Sequence, residues 1–284
     1  MAVIVALDLS ESAQAVLARG VALAKQLGQK LHAVHVVDAG IPESLAKATV
    51  QGARDLIARH CAACGADAEV EVLRGRARET IAAYALDAGG GVLVVGAHDA
   101  SQDGLFRFTD STAGQIVRAS PLPVLVVKRH GGGEAMPYQR AVIGVDFSIY
   151  ARSAIRHARM LAPEAALHLV HAYQIPFRLR LGTPTYLAEV EARARGELDA
   201  FLNEDMKHLI RRAGLEGAAP VKIEGACVQG MPYEALVKEV GRVSADLLVV
   251  GTHGAGGMTR ALWGSVATAL LETPPCDLLV VHET

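Results

Sequence analysis

The sequence predicts an α/β protein built as two tandem, doubly wound, five-stranded parallel-sheet domains. Three observations carry that expectation. The chain repeats itself, its apolar runs are short and β-branched, and amphipathic helical patterns separate them. "VIVALDLSESAQAVLARGVALAKQLG" near the start matches "AVIGVDFSIYARSAIRHARMLAP" from Ala141, "LHAVHVVD" matches "LHLVHAYQ", and "PLPVLVVKR" matches "PPCDLLVVHE". A repeat of this length is one folding unit written twice. Strand alternating with helix gives a parallel sheet covered on both faces, with ligands at the C-terminal strand ends near a topological switch.

The elements of the first copy follow in order. Runs near 3–7, 31–37, 92–96 and 123–127 are continuous and apolar, as strands buried on both faces must be. The third, Ala68-Glu69-Val70-Glu71-Val72-Leu73, alternates polar with apolar and should keep one wetter face. Gly75 ends it, and Glu79 falls in the next helix's first turn, where a carboxylate suits the helix dipole. Gly89-Gly90-Gly91 reads as a helix-to-strand turn. In the second copy Ile155, Ala158, Arg159 and Ala162 give helical spacing after Ser148, while Gly230 and Glu234 repeat Gly75 and Glu79. The second copy is longer between its second and third strands. The predicted boundaries are 1–129 for the first domain, 130–138 for a glycine-rich polar linker and 139–284 for the second domain.

Composition narrows the function classes. Half the chain is apolar (51%) and the net charge is −2, which leaves no electrostatic footprint for nucleic acid and no polybasic membrane anchor. No apolar run reaches the roughly 18 residues of a membrane span, and the opening Val3-Ile4-Val5-Ala6-Leu7 lacks a basic flank and leads to Asp8. A cytoplasmic protein is the expectation. Of the four cysteines, Cys61 and Cys64 form "CAAC", but at the end of a helical pattern, whereas thiolate activation favours a helix start. Free thiols are expected and no metal site. Among eleven histidines, His35 and His171 are repeat equivalents, as are His98 and His253, so common ancestry explains the pairing without chemistry. No Ser-His-Asp order or paired carboxylate stands out, and no catalytic residue is assigned. Arg178 and Arg180 read as solvated loop charges.

The informative stretch is "GTHGAGGMTRALWGSVA", Gly251 to Ala267, which leaves the second copy's fourth strand through Gly251-x2-Gly254-x9-Gly264-Ser265. Glycine lets backbone approach an anion without a Cβ in the way. Gly264-Ser265-Val266 opens a helix whose free N–H groups and dipole attract negative charge, and Ser265 adds a hydroxyl. Asp146, ending strand one, is an acceptor suited to a ribose hydroxyl or a metal-bound water. The bland alternative is a glycine-rich connection with Ser265 as N-cap. A dinucleotide fingerprint lacks its third glycine here, and there is no GxxxxGK[ST].

On these residues the chain resembles the universal stress protein family in its tandem form, over nearly its whole length. The resemblance implies a Rossmann-like, adenine nucleotide alpha-hydrolase-like fold. It implies that Gly251 lies by the ribose, that Gly254, Gly264, Ser265 and Val266 hold phosphates, that Asp146 sits by the nucleotide, and that the end of strand two near Ala172 contacts adenine. His253 is expected to line the same pocket. The implied ligand is ATP or a related adenine nucleotide, with or without Mg2+, in a sensor or regulator with a regulatory protein partner. Single-domain relatives pair fifth strands across a dimer. Here the linker would let Val124–Val127 meet Leu278–Val281 within the chain, and a homodimer is the further expected assembly. The first copy departs from the motif: Asp99 stands where Gly254 does, and Asp110-Ser111 replaces Gly264-Ser265. Two carboxylates where phosphates belong predict poor binding there. A scaffold that binds no nucleotide and a slow ATPase or autophosphorylating protein are the alternatives.

Overall fold

The computed structural model describes residues 1–10, 13–97, 112–128, 135–175, 184–205, 222–253 and 264–282. It divides into two compact units, Met1–Pro137 with Leu271–Leu278, and Tyr138–Leu270 with Leu279–Thr284. Duplicated α/β halves are therefore seen in the fold as well as in the sequence.

The first unit runs β1 (Ala2–Ala6), α1 (Ala13–Leu27), β2 (Lys30–Asp38), α2 (Glu43–Ala63), β3 (Ala68–Gly75), α3 (Ala77–Asp87), β4 (Gly90–Gly96), α4 (Thr112–Ala119) and β5 (Val124–Val127). Its strand order is β3-β2-β1-β4-β5, with neighbouring strands parallel. Continuous apolar runs in β1, β4 and β5 are possible because both faces are covered: Val3, Ile4, Val5, Val94 and Leu125 are wholly buried. β3 keeps the wetter face its alternation predicts, with Glu69 exposed and Val72 buried. The triple glycine differs from its expected role. Gly89, at φ +63°, makes the turn after α3, while Gly90 and Gly91 already belong to β4. At Gly90 a Cβ would meet the Ala85 carbonyl at 2.6 Å, so the strand can start only without a side chain. "CAAC" closes α2, with Cys64 as its C-cap and Cys61 buried, and all four cysteines are free. Burial and the neighbouring Cys64 raise the Cys61 thiol's pKa, the opposite of activation.

The second copy runs β6 (Arg140–Gly144), α5 (Ile149–Leu161), β7 (Ala166–Tyr173), α6 (Pro184–Ala200, continued by a short π-helical stretch Phe201–Asp205), β8 (Ile223–Gln229), α7 (Pro232–Val243), β9 (Leu247–Gly251), α8 (Ser265–Glu272) and β10 (Asp277–Val281). The order is β9-β6-β7-β8, with β10 beyond β9. Parallel registers run Val142 to His168 and Leu248, and His171 to Cys227. Ser148 starts α5 as its sequence position predicts: its Oγ accepts the Ala151 N–H at 3.2 Å, capping the helix. Pro232 opens α7, where its missing N–H costs nothing. In both units the order reverses between strand one and strand four, so a crevice opens at the C-terminal ends of β1 and β4, and of β6 and β9. Among the described residues, no helix is long and apolar enough to cross a membrane.

Candidate functional site

The crevice of the second unit begins where β6 ends. Val145 stays in register by donating its N–H to the Val170 carbonyl at 2.9 Å. The chain then turns: Asp146 Oδ1 accepts the Ser148 N–H at 3.1 Å, and Phe147 takes φ +62° between them. A left-handed Phe is uncommon and costs on the order of 1 kcal/mol. Ring contacts with His171 (centroids 4.5 Å) and Phe201 (5.5 Å) hold it there. His171 Nδ1 lies 2.9 Å from the Val145 carbonyl, which can only accept, so that nitrogen carries the proton. Its part is to close the strand end, and no acid–base role follows from it.

The opposite wall comes from β9. Leu247, Leu248 and Val249 are wholly buried, and the strand leaves the core at Gly251. A Cβ on Gly251 would stand 2.6 Å from Tyr150 Cβ, so α5 can approach only because this residue is glycine. That is a packing reason, independent of any ligand, for a glycine that the resemblance places by a ribose. Thr252, 1% exposed, donates its N–H to the Val281 carbonyl at 2.9 Å, and its hydroxyl lies 3.0 Å from His253 Nδ1. The Tyr150 ring packs 5.2 Å from the His253 ring.

The third wall is the start of α8. Here the structure corrects two expectations. Ser265 is the first helical residue and is exposed, so Gly264 holds the N-cap place and its carbonyl accepts the Thr268 N–H at 3.0 Å. The Gly264 N–H is also not available to an anion, because it donates to the Thr252 carbonyl at 2.8 Å. What remains is the N–H set of Ser265, Val266 and Ala267, ahead of the helix's first intrahelical donor, the Thr268 N–H.

Together these walls enclose a cavity of about 210 Å³. Asp146, Ala172, Gly251, His253, Gly264, Ser265 and Val266 line it, and these are all of the sequence-assigned residues except Gly254, which lies outside the described residues. So do His98, Asp99, Asp110, Ser111, Arg178 and Arg180. Sequence reasoning missed the apolar side of the cavity, Val170, Pro232, Leu236 and Val250. Leu236 reaches it because Gly144 leaves room: a Cβ there would lie 3.3 Å from Leu236 Cδ1. The repeat pattern placed a helix after Gly230, but only the crossover brings that helix to the end of β6. Chemically, the cavity offers an apolar side, a carboxylate, a helix start and an imidazole.

Two further histidines lie on α5 and just after β10. His282 has its pKa pushed down to about 4, by burial first and by His253 second. His157 is also lowered, chiefly by burial, and its Nδ1 lies 2.8 Å from the Ser153 carbonyl. Among the described residues, no group of three or more His, Cys, Asp or Glu could hold a metal ion.

The family model for the universal stress protein family matches residues 1–128 and again 137–282. A universal stress protein of Methanocaldococcus jannaschii is 29% identical over 146 residues, 51% of this chain and 83% of that protein. One of Thermus aquaticus is 28% identical over 153 residues, 51% of this chain and 99% of its own length. The crystal structure of a universal stress protein from Archaeoglobus fulgidus superposes with a TM-score of 0.69 at 16% identity, covering 100% of this chain and 98% of that one, a likeness of fold.

Proposed function

Because this chain belongs to the universal stress protein family, we propose that its second unit binds ATP or a related adenine nucleotide in the cavity between β6 and β9. One observation carries the reading: seven residues assigned from motif spacing and family resemblance line a single cavity at the strand-order reversal. The fit is chemical as well. Val170, Ala172, Pro232 and Leu236 offer apolar surface to a base, and the Ser265, Val266 and Ala267 N–H groups offer donors to phosphate. At about 210 Å³ the cavity is smaller than the roughly 300–1,000 Å³ typical of small-molecule pockets. It therefore suits the base and sugar, with the phosphates lying along the start of α8. Asp146 would face the ribose with its carboxylate, which lines the cavity. Any Mg2+ would arrive on the nucleotide's phosphates, where it supplies charge neutralisation. Bound nucleotide would bridge the end of β9 and the start of α8, a contact through which a sensor could signal to a regulatory protein. The proposal assigns no catalytic residue, and the proposed assembly is a homodimer in the cytoplasm.

The direct test is to denature the purified protein and identify any released nucleotide by chromatography and mass. Calorimetric titration of stripped protein with ATP should then give about one site per chain. Failure to bind ATP, ADP or AMP would leave the scaffold reading.

A further inference from the structure

We propose that His253 is the proton-uptake group of this pocket: a ligand's phosphates draw a proton onto its imidazole, so binding strengthens as pH falls. The inference rests on the nucleotide reading above and deepens it. Its basis is geometric. His253 lines the cavity, one residue beyond the Thr252 carbonyl that anchors Gly264, and Gly264's own Cβ direction points to His253 Cα at 3.8 Å. The His253 backbone therefore lies beside the start of α8, and the residue lines the same cavity as Ser265 and Val266. Its Nδ1 is engaged by the Thr252 hydroxyl at 3.0 Å, while its Nε2 is buried with no hydrogen-bond partner among the described residues. A buried ring nitrogen without a partner is a strained arrangement that a ligand can relieve. Imidazole is also the side chain whose charge responds most readily near neutral pH, and a polyanion within a few ångströms favours its charged form.

The groups facing His253 leave that response open. From α5 come the Tyr150 ring at 5.2 Å and, farther back, His157; Arg156 acts on His157, and Arg152 lies over the Phe201 ring at 5.7 Å. From the end of β10 comes His282, held neutral by burial and so adding no competing positive charge above about pH 4. From the end of β6 comes the Asp146 carboxylate, which shares the cavity and favours a cation.

The experiment is titration calorimetry of the full chain with ATP and with adenosine at pH 6.5, 7.2 and 8.0. Buffers of different ionisation enthalpy give the protons taken up per ligand. The expected result is that wild-type protein takes up a larger fraction of a proton with ATP than H253N does, with a several-fold steeper loss of affinity toward pH 8.0. Adenosine should show no uptake. Comparison with H253N cancels the titration of ATP's own terminal phosphate. Equal proton counts for wild type and H253N would overturn the inference while leaving the nucleotide reading intact, whereas absence of ATP binding by wild type at every pH would sink both. Should H253N fail to fold, an NMR titration of the wild-type His253 ring with and without ATP decides instead. An upward shift on binding supports the role, and an unmoved titration removes it.

Discussion

The ends of β1 and β6 are built alike, and the segments that follow β4 and β9 are not. In the first unit Asp8 Oδ1 accepts the Ser10 N–H at 2.9 Å, Leu9 takes φ +62°, and His35 Nδ1 reaches the Leu7 carbonyl at 2.7 Å. In the second unit Asp146, Ser148, Phe147, His171 and Val145 repeat each of these features. After strand four, however, the first copy carries Asp99 and Asp110 where the second carries Gly254 and Gly264. The lesson concerns which motif residues report a ligand. Asp8 and Asp146 make the same turn whether or not the neighbouring loop suits phosphate, so an aspartate at this place is first a structural residue. Gly264 is under a weaker demand than Gly251: a Cβ there would lie 3.2 Å from the Thr252 carbonyl, a tight contact, against 2.6 Å from Tyr150 Cβ at Gly251. The ligand signal therefore sits in the strand-four loop.

The largest expected effect is a pH dependence that belongs to the second unit. His282 matches Lys128 of the first copy. The His282 pKa is about 4 when folded and returns to the ordinary value near 6.5 on unfolding, so between those values the unfolded chain binds the extra proton. Stability is then full above pH 6.5 and falls as the pH drops toward 4, by at most about 3 kcal/mol. Chemical denaturation of wild type and H282N across pH 4–7 checks this, and H282N should lose most of the slope. Next comes Gly251→Ala, which forces a methyl against Tyr150 and should cost about 2 kcal/mol in thermal or urea unfolding. An unchanged midpoint would return Gly251 to a purely ligand-facing role.

Gly264→Asp copies Asp110 of the first half into the second. It should weaken ATP at least tenfold, about 1.4 kcal/mol, with the fold retained by circular dichroism. Unchanged affinity in the folded variant would take the α8 start out of the site. The smallest effect separates turn from ligand. Asp8→Ala and Asp146→Ala each lose one turn hydrogen bond and should destabilise by about 1 kcal/mol alike. Only Asp146→Ala should also lower nucleotide affinity; equal affinity in both variants would make Asp146 structural alone.

Much of this protein is written locally. Continuous β-branched runs, the Ser148 cap and the repeat itself determine two α/β halves, because strand burial on both faces and helix capping depend on near neighbours in sequence. The family motif likewise marked the residues that line the cavity, since a glycine-to-helix spacing is a local property. Tertiary structure alone decided the rest. That Gly251 is required by Tyr150, that the Gly264 N–H is taken by the Thr252 carbonyl, that Leu236 joins the cavity across Gly144, and that His282 lies near enough to His253 to feel its charge all depend on where crossovers bring distant segments. A sequence fixes which groups exist and their local spacing. Which of their hydrogen bonds remain for a ligand is settled only when packing has used the others.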